Sequence, residues 1–263
     1  MVAAVTIVNG DSSVWAGIAG RLGLGGHEHV SIVGGGGKTS LMFALASQLA
    51  GRRVITTTTK MGGDQNYGRP ILVDPTADDV VDATDGDGQV VVWKQAVVDS
   101  QRGAGYSKAI GVDPRQCDEW FERVDHVLVE ADGARRKPFK APRQGEPVVP
   151  STSTMLIIVA GADALGRVII DQCHRPLRVA ALAGCQPGDR LTPTRAARVV
   201  THQRGFMDHV PAHARVRLVV TKVDDSNEPL VAQFFEAMET MSGGGVHPLS
   251  VALEPIRVFA PEG

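Results

Sequence analysis

A run of glycines followed by a lysine and two hydroxyl residues is the segment of this chain whose residue types and spacing best suit chemistry. The run consists of Gly34, Gly35, Gly36, Gly37, Lys38, Thr39 and Ser40. It follows a short apolar stretch and opens a segment with apolar residues at helical spacing. A strand that passes through glycines into a helix directs several backbone N–H groups and the positive end of the helix dipole at one point, where a phosphate group binds. Lys38 adds a positive charge, and the Thr39 hydroxyl is placed to coordinate Mg²⁺.

The match to known glycine-rich loops is partial. The full phosphate-loop pattern has a glycine six positions before the lysine, where this chain has Ile32, so the shorter pattern G-x-x-G-K-T remains. A dinucleotide-binding pattern through Gly35 and Gly37 lacks its third glycine at Ser40 and leaves Lys38 unexplained. The alternative is a tight turn between a strand and a helix, with the lysine pointing into solvent.

Two acids follow a later apolar run, residues 127–129. Glu130 and Asp132 are two positions apart, so both face the same side of an extended chain. A carboxylate at the end of such a strand can hold Mg²⁺ or its waters across from the loop hydroxyl. We therefore predict Lys38, Glu130 and Asp132 as catalytic residues and Thr39, Glu130 and Asp132 as metal ligands. The alternative is two solvated acids at the end of a strand.

A third motif, T-K-x-D, ends another apolar run with Thr221, Lys222 and Asp224. It resembles the guanine-reading N-K-x-D motif of GTPases, in which the aspartate accepts the base N1 and N2 hydrogens and the lysine packs along the ring. Threonine replaces the usual asparagine here, and the alternative is a solvated turn after the strand. The predicted ligand is therefore GTP or ATP.

Two further polar segments are candidates for binding. Five cations lie within nine positions: Arg135, Arg136, Lys137, Lys140 and Arg143. Prolines interrupt this basic segment, so its cations cannot share one helix face. The segment could clamp a triphosphate or a second anionic ligand, and the alternative is a solvated basic surface. Thr56 to Thr59 end another predicted strand, where open α/β sheets bind ligands, and they either line a polar pocket or only complete the strand.

The elements that must position these residues alternate along the chain from residue 29 onward. Short β-branched runs alternate with helical patterns, which predicts an α/β fold with a mostly parallel sheet and helices on both faces. Predicted strands lie at 29–33, 53–57, 71–73, 89–93, 127–129, 155–159 and 216–220. Predicted helices lie at 39–49, 113–123, 192–202 and 229–241, with a short one after the capping residue Thr76. We predict a single nucleotide-binding domain over residues 1–263, in which residues 1–28 are a peripheral segment containing a helix near Val14, Trp15, Ile18 and Leu22.

Composition narrows the class of protein. Of 263 residues, 43% are hydrophobic and 21% are charged, which is typical of a compact soluble chain. The formal net charge of −2 gives no overall attraction to nucleic acid or to an anionic membrane. Three cysteines without a C-x-x-C pair fit a reduced cytoplasmic protein, and the apolar start of the chain has neither the basic flank of a signal peptide nor the length of a membrane span. We therefore expect a cytoplasmic protein that binds neither nucleic acid nor membrane.

Five segments together resemble the YqeC family. They are V-G-G-G-G-K-T-S at 33–40, T-T-T-T-K-M at 56–61, E-A-D-G-A-R-R-K-P-F-K-A-P at 130–142, G-A-D-A-L-G at 161–166 and H-R-P at 174–176. Members of that family often have a histidine where this chain has Lys60. With the glycine loop, the resemblance implies a P-loop NTPase-like three-layer sandwich that uses Mg²⁺. It also implies an accessory role for selenium-dependent molybdenum hydroxylases in selenium cofactor biosynthesis.

Three functions are compatible with these residues. The first is a nucleoside triphosphate hydrolase that couples hydrolysis to maturation of a molybdenum hydroxylase or its cofactor. The second is a transferase that moves a phosphoryl or nucleotidyl group to a small cofactor precursor. The third is a non-catalytic, nucleotide-gated module that delivers a cofactor to a partner enzyme. Turnover without an acceptor, turnover that needs an acceptor, and binding without turnover distinguish the three.

Overall fold

A parallel sheet forms the centre of the computed structural model, which describes residues 17–62, 66–98, 107–243 and 247–250. Within these residues the strands are β1 (Glu28–Gly34), β2 (Arg53–Thr57), β3 (Lys60–Gly62), β4 (Ile71–Val73), β5 (Gln89–Trp93), β6 (Gln95–Val98), β7 (Ser107–Ile110), β8 (His126–Glu130), β9 (Phe139–Lys140), β10 (Met155–Gly161), β11 (Cys173–His174), β12 (Arg215–Thr221) and β13 (His247–Ser250). The helices are α1 (Ile18–Leu22), α2 (Lys38–Ala46), α3 (Ala77–Ala83), α4 (Pro114–Phe121), α5 (Ile169–Gln172), α6 (Pro176–Ala183), α7 (Pro193–Thr201) and α8 (Glu228–Ser242).

The main sheet has eight strands in the order β13-β12-β10-β1-β8-β2-β5-β4, and its neighbouring strands are parallel. Every residue of β1, β8 and β10 is buried, as expected for central strands that are covered on both faces. Because the strands are parallel, their carboxyl ends meet at one edge. That edge collects the glycine run, Glu130, Thr57, Gly161 and Thr221.

Apolar residues cover both faces of this sheet, which confirms the predicted three-layer α/β architecture. Val30 and Ile32 of β1 belong to an apolar cluster with α1 and α2, whereas Val33 belongs to a second cluster with α4, α7 and α8. Alternate residues of a strand point to opposite faces, so the two clusters lie on opposite sides of the sheet.

Local sequence determines most element boundaries. The observed strands β2, β4 and β5 have the predicted bounds. Thr76 and Asp113 cap α3 and α4 through capping boxes, and Thr192 caps α7. Helix α2 ends at Ala46, earlier than predicted, because the chain turns there and the amides of both Gln48 and Leu49 bond to the Leu45 carbonyl.

Three features differ from the simple alternation of strands and helices. Strands β3, β7 and β6 form a small antiparallel sheet, and the two-residue strands β9 and β11 pair in parallel. Ile18 and Leu22 of α1 are fully buried in the same apolar cluster as α2, so this part of the N-terminal segment contributes to the core. The predicted Val14 and Trp15 lie outside the described residues. Of the helices described, none is both long enough and apolar enough to cross a membrane.

Candidate functional site

The glycine run joins β1 to α2 in a conformation and a space that other residues do not tolerate. Gly34, Gly36 and Gly37 have φ angles of 98°, 92° and 126°, in the region that favours glycine. A Cβ atom on Gly34 would lie 2.2 Å from the Val159 carbonyl oxygen, and one on Gly36 would lie 2.6 Å from a backbone nitrogen on β10. A Cβ on Gly35 would lie 2.5 Å from the carbonyl oxygen of residue 137. The basic segment and β10 therefore pack directly on the backbone of the loop.

We expect Gly34→Ala to lower the free energy of unfolding by roughly 3 kcal/mol or more, since strained backbone and overpacking each cost about 1–3 kcal/mol. Gly68→Ala is the matched control: Gly68 also has a positive φ, 74°, but a Cβ there meets no atom within 4 Å. Gly68→Ala should lower the free energy of unfolding by only about 1–2 kcal/mol. Denaturant unfolding of both variants measures the difference, and equal losses would show that the close packing on the loop is not required for stability.

Lys38 is the first residue of α2, and its side chain is buried against the carboxyl end of β8. Its Nζ atom donates to the Gly34 carbonyl at 2.9 Å and lies 3.5 Å from Glu130 Oε1 and 3.4 Å from Asp132 Oδ1. Burial by itself lowers the pKa of this lysine, but the attraction of Glu130 and Asp132 outweighs burial and raises the pKa above its ordinary value. The site therefore holds a charged lysine inside the protein and not in solvent.

Glu130 connects this lysine to the hydroxyl of the loop. The Thr39 hydroxyl donates to Glu130 Oε2 at 2.7 Å, while Oε1 of the same carboxylate faces Lys38. The Thr57 hydroxyl donates to the Glu130 main-chain carbonyl at 2.7 Å, which fixes the end of β8. A hydroxyl and a carboxylate oxygen thus lie together beside the glycine run, in a pair of hard oxygen donors.

Asp132 has a different environment, although it also reaches Lys38. Both of its carboxylate oxygens accept the Gly34 amide at 3.1 Å, and Lys140 Nζ lies 2.9 Å from Oδ2. Lys140 is almost fully buried, so its pKa is lowered by burial, an effect that the nearby Asp132 carboxylate partly offsets. Asp132 therefore uses its oxygens to hold the loop and two lysines.

The T-K-x-D motif ends beside the loop. The Thr221 hydroxyl donates to the Gly36 carbonyl, and Lys222 pairs with Asp163 at 2.8 Å. Asp224 is exposed and accepts hydrogen bonds from the Ser226 hydroxyl and from the amides that follow it, and these bonds lower the pKa of its carboxyl. The motif lies at the same edge as Lys38, with its aspartate engaged in a local turn before α8.

The threonines at the end of β2 bond to the main chain, whereas the first amides of α2 are left without a side-chain cap. The Thr56 hydroxyl donates to the Val92 carbonyl, and the Thr58 hydroxyl donates to the Val148 carbonyl. Like the Thr57 hydroxyl, both are therefore hydrogen-bonded to main-chain carbonyls. No side chain caps α2 at its N-terminus. The N–H groups of its first turn, including those of Thr39 and Ser40, therefore have no partner within the helix.

A magnesium site fits Thr39 and Glu130 better than it fits Asp132. In the described part of the chain, no three His, Cys, Asp or Glu side chains form a metal cluster. Mg²⁺ at a nucleotide site does not need such a cluster, because phosphate and water oxygens complete its shell around one or two protein ligands. Thr39 and Glu130 supply such oxygens, whereas those of Asp132 face an amide and two ammonium groups.

This fold and site define an α/β protein whose glycine-rich loop joins a central parallel strand to a helix, an architecture consistent with the P-loop NTPase-like class. Residues 30–177 match the family model described as YqeC protein. The chain is also 34% identical over 194 residues to a protein of Escherichia coli (strain K12) described as "Uncharacterized protein YqeC", covering 71% of this chain and 72% of that one. The chain therefore belongs to the YqeC family. The segment that matches the family model contains the loop, both acids and the basic segment, whereas the T-K-x-D motif follows it.

Proposed function

We propose that this protein binds a nucleoside triphosphate together with Mg²⁺ at the glycine loop and hydrolyses it. The observation that carries the proposal is the charged, buried Lys38 between a glycine loop and two carboxylates at the end of β8. Lys38 and the N–H groups of the loop and of the first turn of α2 would bind the phosphates. Thr39 and Glu130 would hold the metal ion, which supplies charge neutralisation of the phosphoryl group.

The two acids have separate roles in this proposal. Glu130 faces the hydroxyl of the loop, so it is the carboxylate that would orient the attacking water or the metal ion. Asp132 would hold Gly34 and Lys38 in place, because its contacts are to the loop amide and to lysines.

We extend the proposal to the accessory role that the family resemblance implies. In this role, hydrolysis would drive the maturation of a selenium-dependent molybdenum hydroxylase or of its cofactor, and the hydroxylase or a cofactor-biosynthesis protein would be the partner. Membership of the YqeC family supports this extension. Because this role requires hydrolysis at the loop, it depends on the nucleotide site that a binding titration tests.

Titration of the purified protein with GTP, ATP and XTP in the presence of Mg²⁺ tests the nucleotide site. We expect triphosphate binding, with GTP favoured if Asp224 reads guanine, since a carboxylate facing adenine stays unpaired. Asp224→Asn should then weaken GTP binding by about tenfold or more and shift the preference toward XTP. Asp225→Asn, at the exposed neighbouring position, is the matched control.

The outcomes of this titration distinguish nucleotide binding at the loop from recognition of guanine by Asp224. If the parent protein binds none of the three nucleotides, the proposed function is wrong. If GTP and ATP bind equally well and Asp224→Asn changes neither affinity, only the guanine assignment is wrong, and Asp224 serves the turn before α8.

A further inference from the structure

A polar cavity of about 540 Å³ lies beside the glycine loop and shares no residue with the loop or with the end of β8. The side chains that give it its character are Arg135, Lys137, Arg143, His174, Arg175 and Pro176. They come from the basic segment, from β11 and from the start of α6. The lining thus contains four cations and an imidazole, and it contains no acid.

The positive charge of this cavity is only partly balanced. Glu146 lies next to it and is shared by two arginines, with Arg175 Nη2 at 2.9 Å and Arg143 Nε at 3.0 Å. Lys137 donates to a main-chain carbonyl, that of Asp171, at 2.6 Å. Arg135 is exposed and pairs with no acid in the part of the chain that the structure describes. Among the described residues, Glu146 therefore pairs with two of the four cations that line the cavity, Arg143 and Arg175.

The protonation state of His174 depends on its burial and on the cations around it. Burial, together with repulsion of the proton by Arg175, Lys140 and Arg135, lowers its pKa to about 4. The imidazole is therefore neutral near pH 7, when it can donate or accept one hydrogen bond to a ligand without adding charge.

Two of the residues that line this cavity have a strained backbone. Arg135 and Arg175 have φ angles of 50° and 59°, in the left-handed region that non-glycine residues rarely adopt. Arg175 also precedes α6, an eight-residue helix with Pro176 at its start and no side-chain cap. Strained residues of this kind cluster at ligand sites, where the surrounding fold holds them in place.

We propose that this cavity binds a small polyanion that carries phosphate or carboxylate groups, as a site separate from the glycine loop. Guanidinium groups bind both kinds of anion through paired hydrogen bonds, and the volume is that of a small-molecule site. The inference goes beyond the proposed function and does not depend on it, because none of its residues belongs to the loop or to the end of β8.

The cavity is nevertheless close to the loop. Lys137 lines the cavity with its side chain, while its carbonyl oxygen packs on Gly35. Lys140 lies 3.5 Å from Glu146 on the cavity side and 2.9 Å from Asp132 on the loop side. A bound polyanion therefore contacts the same segment that covers the glycine run.

The test is calorimetric titration with inorganic pyrophosphate, and separately with citrate, without nucleotide or Mg²⁺. The parent, Lys38→Met and Arg135→Gln proteins are compared, with Arg115→Gln as the matched control because Arg115 is an exposed arginine outside the cavity. We expect at least one of the two anions to bind, and its identity separates a phosphate ligand from a carboxylate ligand. Arg135→Gln should weaken that binding about tenfold or more, and Arg115→Gln and Lys38→Met should leave it at the parental value.

The proposal is overturned if neither anion binds the parent protein, or if Arg135→Gln binds as tightly as Arg115→Gln. Loss of all binding in a folded Lys38→Met protein would also overturn it, because the anion would then occupy the loop. If Lys38→Met does not fold, the comparison of Arg135→Gln with Arg115→Gln decides. Failure of the nucleotide titration above leaves this result unaffected.

Discussion

Lys38→Met is expected to weaken nucleoside triphosphate binding by more than tenfold. The substitution keeps the buried apolar stem and removes the ammonium group that lies at the end of β8. A charge-assisted hydrogen bond of this kind contributes about 1.5–3 kcal/mol, and about 1.4 kcal/mol corresponds to a tenfold change in affinity. Calorimetric titration of the parent and variant proteins with Mg²⁺ and the preferred triphosphate measures the effect.

The free energy of unfolding of Lys38→Met must be measured together with its affinity, because Lys38 also neutralises Glu130 and Asp132. Each acid keeps another partner after the substitution, Thr39 for Glu130 and Lys140 for Asp132, so we expect a folded variant. Lys94→Met removes an exposed lysine outside the site and serves as the control. Unchanged triphosphate affinity in folded Lys38→Met would reject the assignment of the loop as a phosphate site.

Glu130→Gln is expected to lower the rate of phosphate release by roughly 100-fold or more, while the nucleotide affinity changes much less. The amide has the shape of the carboxylate, but it is a weak metal ligand and cannot accept a proton, and such groups contribute about 10²–10⁴ in rate. Single-turnover phosphate release at saturating nucleotide separates the chemical rate from binding.

Asp132→Asn is the matched comparison, since it makes the same chemical change two positions away. Its carboxylate holds Gly34 and Lys140, so this substitution should lower the free energy of unfolding and the affinity more than the rate at saturation. Should both amide variants release phosphate at the parental rate, the two acids are structural and hydrolysis takes place elsewhere.

Much of the main sheet could be predicted because buried parallel strands require continuous apolar runs and helices begin at recognisable caps. Strand β2 and helix α4 illustrate this, the first by its β-branched residues and the second by the Asp113 cap before Pro114. The antiparallel sheet of β3, β6 and β7 was not predicted. Its strands have only three or four residues each, too few for a clear alternation.

Part of the candidate site could likewise be predicted from the sequence, and part could not. The spacing of Glu130 and Asp132 was enough to place both on one side of a strand, and the structure brings both to Lys38. The burial of Lys140 was not predictable, because nothing local distinguishes it from the other cations of the basic segment. Its position depends on the pairing of β9 with β11, which joins residues more than thirty positions apart.

The buried centre of the site is electroneutral. Lys38 and Lys140 supply two positive charges, Glu130 and Asp132 supply two negative charges, and all four side chains are almost inaccessible to water. Because an unbalanced buried ion costs several kcal/mol, this balance lets the protein keep a charged lysine at the loop in the absence of a ligand. A bare anion would find no surplus of positive charge there, so under the proposed function the loop would favour a ligand that carries its own counterion.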